Sequence, residues 1–129
     1  MATGDYTVIK PDLTRLLTIE RKEINDLVSC WGKHRKRFEA ELMRMKAYRY
    51  RFVVVEASYQ EILEGNYQSS ISTEIVINSI AAWQARGINF VLADSRQAAT
   101  HFSYQIMKTI AKDINFLAQK IVFDTEPTK

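Results

Sequence analysis

Two short runs, Arg51-Phe52-Val53-Val54-Val55-Glu56 and Ile88-Asn89-Phe90-Val91-Leu92-Ala93, are apolar almost without a break. A strand with one wet face alternates apolar and polar residues, whereas one this short and this apolar is covered on both faces. Each run follows a segment of helical period. Phe38, Leu42 and Met45 recur along one side of residues 35–48, and Ile75, Val76, Ile80 and Trp83 fill a second helix that stops at Gly87. Doubly covered strands that alternate with helices call for right-handed crossovers and helices on both faces of one sheet.

The remaining segments complete that plan. Residues 5–10 and 16–22 read as strands, with Lys10-Pro11-Asp12 as the turn between them, so the sheet is mixed. A short helix starts at Glu23 and ends near Gly32, and another turn of helix covers Tyr59 to Leu63 before Gly65-Asn66. Ser72 or Thr73 caps the helix that ends at Gly87, and Asp94 or Ser95 caps a last helix striped with Ala99, Phe102, Ile106, Ile110 and Ile114. No repeat, linker or low-complexity segment interrupts the 129 residues. Residues 1–129 therefore read as a single three-layer α/β domain.

Composition excludes several classes. With 47% hydrophobic and 26% charged residues, the chain resembles a folded domain rather than a disordered one. Its apolar runs are too short to cross a membrane, and no charged-then-apolar leader opens it. Cys30 is the single cysteine, without a CxxC or Cys/His zinc pattern. These features lead to the expectation of a reducing, cytoplasmic setting (the nucleus in a eukaryote) and no membrane partner. Net charge is only +3, but eight basic residues against two acidic ones lie between Lys33 and Arg51. Lys33, Arg35, Lys36, Arg37 and Arg44 are the candidate DNA contacts. A solvated helix face accounts for the same run equally well.

Asp5, Glu20 and Lys22 carry the candidate chemistry. On a strand, side chains two apart share a face, so Glu20 and Lys22 point together, about 6.6 Å apart, and Arg21 points the other way. Pairing of the first two strands brings Asp5 to Glu20, where two carboxylates can hold a hard divalent cation beside an ammonium group. Hydrolysis of a phosphodiester needs an acidified water and neutralised phosphate charge, and Mg²⁺ or Mn²⁺ bound by carboxylates supplies both. Lys22 either orients or deprotonates water or stabilises developing charge. Arg21 is placed to pair with Asp26 one helical turn later, bracing the site. Read in isolation, Glu20 with Lys22 is also an ordinary surface pair.

The residues resemble the nuclease domain of the XPF-type structure-selective endonucleases. The pattern Gly4-Asp5, Glu20-Arg21-Lys22 and Asp26 carries the resemblance, which continues through Leu27-Val28-Ser29, Arg37-Phe38-Glu39, Val53 to Ser58 and Gly65 to Ser69. It spans roughly residues 4 to 110. It implies a restriction-endonuclease-like fold, cleavage of branched or flapped DNA in DNA repair, and a homodimer or pairing with another nuclease subunit. By motif position it implies metal ligation by Asp5 and Glu20 and catalysis involving Lys22, Arg21 and Asp26. Family members usually carry an earlier strand ending in an acid, and many add a helix-hairpin-helix domain. The sequence matches neither, so a non-catalytic DNA-binding or partner module on the same fold stands as the alternative.

Overall fold

A computed structural model describes residues 6–9 and 15–125. Asp5 and the turn assigned to Lys10-Pro11-Asp12 lie outside the described residues. The elements run β1 Tyr6–Ile9, β2 Arg15–Lys22, α1 Ile24–Cys30, α2 Arg35–Met45, β3 Tyr50–Val55, α3 Tyr59–Leu63, α4 Thr73–Ala85, β4 Asn89–Leu92 and α5 Arg96–Thr125.

The four described strands form one mixed sheet in the order β1-β2-β3-β4. β1 runs antiparallel to β2, with Tyr6 opposite Ile19 and Thr7 opposite Thr18. β2, β3 and β4 are parallel, with Glu20 beside Val53, Lys22 beside Val55, and Val55 beside Leu92. Because the parallel strands add in one direction, crossovers of one hand place their helices on one face. Trp31, Phe38, Leu42, Ile62, Val76 and Trp83 from α1 to α4 and their flanking turns accordingly share a core with Val53 and Val55. Ala99, Ile106 and Ile110 of α5 pack on the opposite face with Leu17, Ile19 and Val54. Val53, Val54 and Val55 are all fully buried, as an unbroken apolar strand between two helical layers must be.

Local chemistry sets the element ends. Ser72 Oγ accepts from the Ile75 N–H and caps α4. At its other end Gly87 takes φ +96°, and the Ile88 N–H donates to the Trp83 carbonyl at 3.0 Å. Gly65 closes α3 likewise at φ +71°, with the Asn66 N–H on the Glu61 carbonyl at 3.1 Å. Only glycine adopts this left-handed geometry without steric cost, so both helices stop there. Ser95, one of the two candidate caps for α5, accepts from the Ala98 N–H.

Among the described residues, no helix is long and apolar enough to cross a membrane.

Candidate active site

Of the candidate residues, Glu20, Arg21 and Lys22 lie at the C-terminal end of β2. Leu17 and Ile19 face α5, so the alternate positions Thr18, Glu20 and Lys22 face the α1–α2 layer. Glu20 is only 6% exposed, unusual for a carboxylate. Lys22 Nζ lies 3.8 Å from Glu20 Oε2. The same ammonium sits 5.4 Å from the centroid of the Phe38 ring, whose π face attracts a cation. Phe38 is itself held edge-on against Trp31, with centroids 5.0 Å apart. A carboxylate and an aromatic face thus fix where the positive charge stands.

Cys30, at the end of α1, adjoins this group. Burial pushes its thiol above its ordinary pKa of 9.0; the Lys22 ammonium and its hydrogen bond oppose the rise, and the Glu41 and Asp26 carboxylates add to it. Glu41, half-buried on α2, is a nearby acid that the sequence reading passed over.

Arg21 points to the opposite layer. Its Nη2 meets Glu56 Oε2 at 2.6 Å and donates to the Arg96 carbonyl at the start of α5. The partner read from the sequence was Asp26, and the structure corrects this. Asp26 lies one strand step and a cap away, exposed in the first turn of α1. There its carboxylate complements the helix dipole. Glu56 directly follows β3, and its N–H donates to the Lys22 carbonyl at 2.8 Å. Arg21 therefore braces the end of β2 from behind and does not share a face with Glu20 and Lys22.

The basic run divides into two kinds of residue. Arg35 donates to the Trp31 carbonyl, to Ser79 Oγ at 3.0 Å and to Glu39, and its guanidinium stacks 5.3 Å from the Trp31 ring. Its donors tie α2 to α4. Lys33, Lys36, Arg37 and Arg44 are exposed. Tyr48 is core, and Tyr67 is half-buried with its hydroxyl donating to the Ile71 carbonyl at 2.7 Å.

Among the described residues no three His, Cys, Asp or Glu side chains converge. Among the described residues this face offers one buried carboxylate, Glu20, of the type Mg²⁺ and Mn²⁺ take. The β1–β2 ladder, as far as it is described, ends at Tyr6 opposite Ile19, one residue short of both Asp5 and Glu20.

A mixed sheet between a four-helix layer and a single long helix is a restriction-endonuclease-like architecture. The model of the ERCC4 domain family matches residues 1–106, and the chain belongs to that family. The match bears out the resemblance to XPF-type nuclease domains. Proteins of the family are in general DNA-processing nucleases that typically depend on a divalent metal. No curated protein and no solved structure matches the chain.

Proposed function

We propose that the protein is an Mg²⁺- or Mn²⁺-dependent endonuclease that hydrolyses phosphodiester bonds in branched or flapped DNA. The supporting observation is the pairing of a nearly buried carboxylate, Glu20, with an aromatic-braced ammonium, Lys22, on one face at the end of a parallel strand. Ends of parallel strands are where α/β sheets concentrate functional groups.

In this reading Glu20 and Asp5 hold the cation, which supplies Lewis acidity and an acidified water. The chain's own contribution is positional and electrostatic. Lys22 offers fixed positive charge to the phosphate oxygens as negative charge builds on them. Phe38 and Glu20 keep the ammonium in place. Arg21 and Glu56 hold the strand end that carries both. Asp26 acts through the field of α1 and touches no reacting atom. Lys33, Lys36, Arg37 and Arg44 contact the DNA backbone, and the protein works as a homodimer or beside another nuclease subunit.

The test is cleavage of fork and flap DNA with Mg²⁺ or Mn²⁺, comparing the protein with its Asp5→Ala and Lys22→Ala variants. Each variant is expected to lose about a hundredfold or more in rate. Equal rates in all three contradict the proposal. Salt-sensitive DNA binding with no cleavage by the unaltered protein favours the non-catalytic module.

A further inference from the structure

A groove of about 470 Å³ lies between α1 with the turn that follows it and the loop that precedes α4. Ser29 and Lys33 line one wall, Gln68, Ser69 and Ile71 the other, with Gly32 between them. It meets, at the shared Gly32 and Lys33, a second groove of about 570 Å³ that is also lined by His34, Arg35, Lys36 and Arg37. Among the described residues, no carboxylate lines either one. Lys33, Lys36 and Arg37 are exposed and form no ion pair with a described residue.

The wall formed by residues 66–71 is built in place. The Gln68 N–H donates to Asn25 Oδ1 at 2.8 Å, the Tyr67 hydroxyl to the Ile71 carbonyl at 2.7 Å, and the Ile71 N–H to Ser69 Oγ at 3.1 Å. A Cβ at Gly32 would stand 2.6 Å from Ile71 Cδ1, so the glycine allows this close approach. A wall fixed in this way binds without a large ordering cost.

We propose that the joined grooves seat a single unpaired strand of DNA. Each groove has the volume of a small-molecule pocket, about 300–1,000 Å³, which admits a nucleotide. A duplex, whose major groove alone is about 12 Å wide, does not enter. The acid-free row Lys33, Lys36 and Arg37 complements a phosphate chain. The Gln68 amide and the Ser29 and Ser69 hydroxyls can meet base edges, which only an unpaired strand presents in full. The inference rests on DNA as the partner, as in the proposed function, but not on cleavage.

Binding is therefore measured without divalent metal, in EDTA, by fluorescence anisotropy of a labelled single-stranded DNA oligonucleotide and of the blunt duplex of the same sequence. The single strand is expected to bind more tightly. Ser69→Glu is expected to weaken single-strand binding about tenfold or more by placing like charge against phosphate. Thr109→Glu, the same charge change on exposed α5, is expected to alter it less than about twofold. Lys33→Gln is expected to lower the slope of log affinity against log salt by about 0.7. Absence of single-strand binding, equal affinity for the duplex, or equal weakening by Ser69→Glu and Thr109→Glu overturns the inference. A protein that meets the binding expectations and never cuts DNA sinks the endonuclease reading and leaves the groove assignment standing. A protein that cuts, yet is weakened equally by both charge variants, does the reverse.

Discussion

Arg21 and Glu56 meet at 2.6 Å on the face of the sheet away from Glu20 and Lys22, joining the end of β2 to the residue that follows β3. Their side chains are 13% and 14% exposed, so the pair is largely withdrawn from water. Period-two alternation makes the arrangement unavoidable: residues on either side of Arg21 face one layer, so Arg21 faces the other. One strand end thus carries the candidate chemistry on one side and its own mechanical support on the other.

Breaking this pair removes the carboxylate from a guanidinium that is largely withdrawn from water. Glu56→Ala is expected to cost about 3 kcal/mol, lowering the melting temperature by roughly 10 °C. Thermal unfolding checks this. A loss under about 1 kcal/mol would show that the pair behaves as a surface ion pair. Below its melting range the variant should keep cleaving DNA within about tenfold of the unaltered protein, since Glu56 supports the strand and touches no substrate.

Phe38 presents its ring to the Lys22 ammonium at 5.4 Å. Phe38→Leu keeps an apolar side chain but removes the π face, worth about 0.5–1 kcal/mol to the cation's placement. The cleavage rate is expected to fall about two- to fivefold with Phe38→Leu and to stay close to wild type with Phe38→Tyr. Single-turnover rates under saturating DNA are the readout. Equal rates for Leu and Tyr would deny the ring an electrostatic role.

Arg35 and Lys36 are neighbours in the sequence with opposite duties. Arg35 ties Trp31, Glu39 and Ser79 together, whereas Lys36 is exposed beside the second groove. Arg35→Gln is expected to destabilise the fold by about 1 kcal/mol or more. Lys36→Gln should leave stability within about 0.5 kcal/mol and flatten the salt dependence of DNA binding. Urea unfolding and binding titrations at several salt concentrations separate the two. The reverse assignment of effects would refute the division.

Cys30 supplies a pH prediction. Burial raises the thiol pKa above 9.0 in the folded protein, while the unfolded chain keeps the ordinary value. Between those two values the unfolded chain has released its proton and the native protein has not. Stability from this group is therefore complete below about pH 9 and falls as pH rises above it. Urea midpoints measured upward from pH 8 should decline less steeply for Cys30→Ala than for the unaltered protein. Parallel declines would show that other groups account for alkaline loss.

Much of the fold was legible because its signals are local. The valines of β3 announce a doubly covered strand, and Gly65 and Gly87 stop their helices by backbone geometry alone. Glu20 and Lys22 share a face because alternation along one strand requires it. The capping box of α3, Ser58 with Glu61, was equally local and was missed, since only the helical turn itself was read. Arg21 with Glu56 is a different matter. The pair is 35 residues apart and depends on the β2–β3 register, which fixes Glu20 against Val53, so no spacing rule exposes it. Asp26 looked like the nearer partner only because separation in sequence stood in for separation in space. Arg35 likewise counted as one more cation until its donors were seen to end on Trp31, Glu39 and Ser79. The groove between Gly32 and Ile71 arises from two loops that meet only in three dimensions.

The proposal that Asp5 and Glu20 hold one divalent cation, with Lys22 beside it but not bound to it, is tested most directly by calorimetric titration with Mn²⁺. Asp5→Ala and Glu20→Ala should each abolish binding at millimolar Mn²⁺, and Lys22→Ala should retain it. Undiminished Mn²⁺ binding in both carboxylate variants, or no binding by the unaltered protein, would contradict the account.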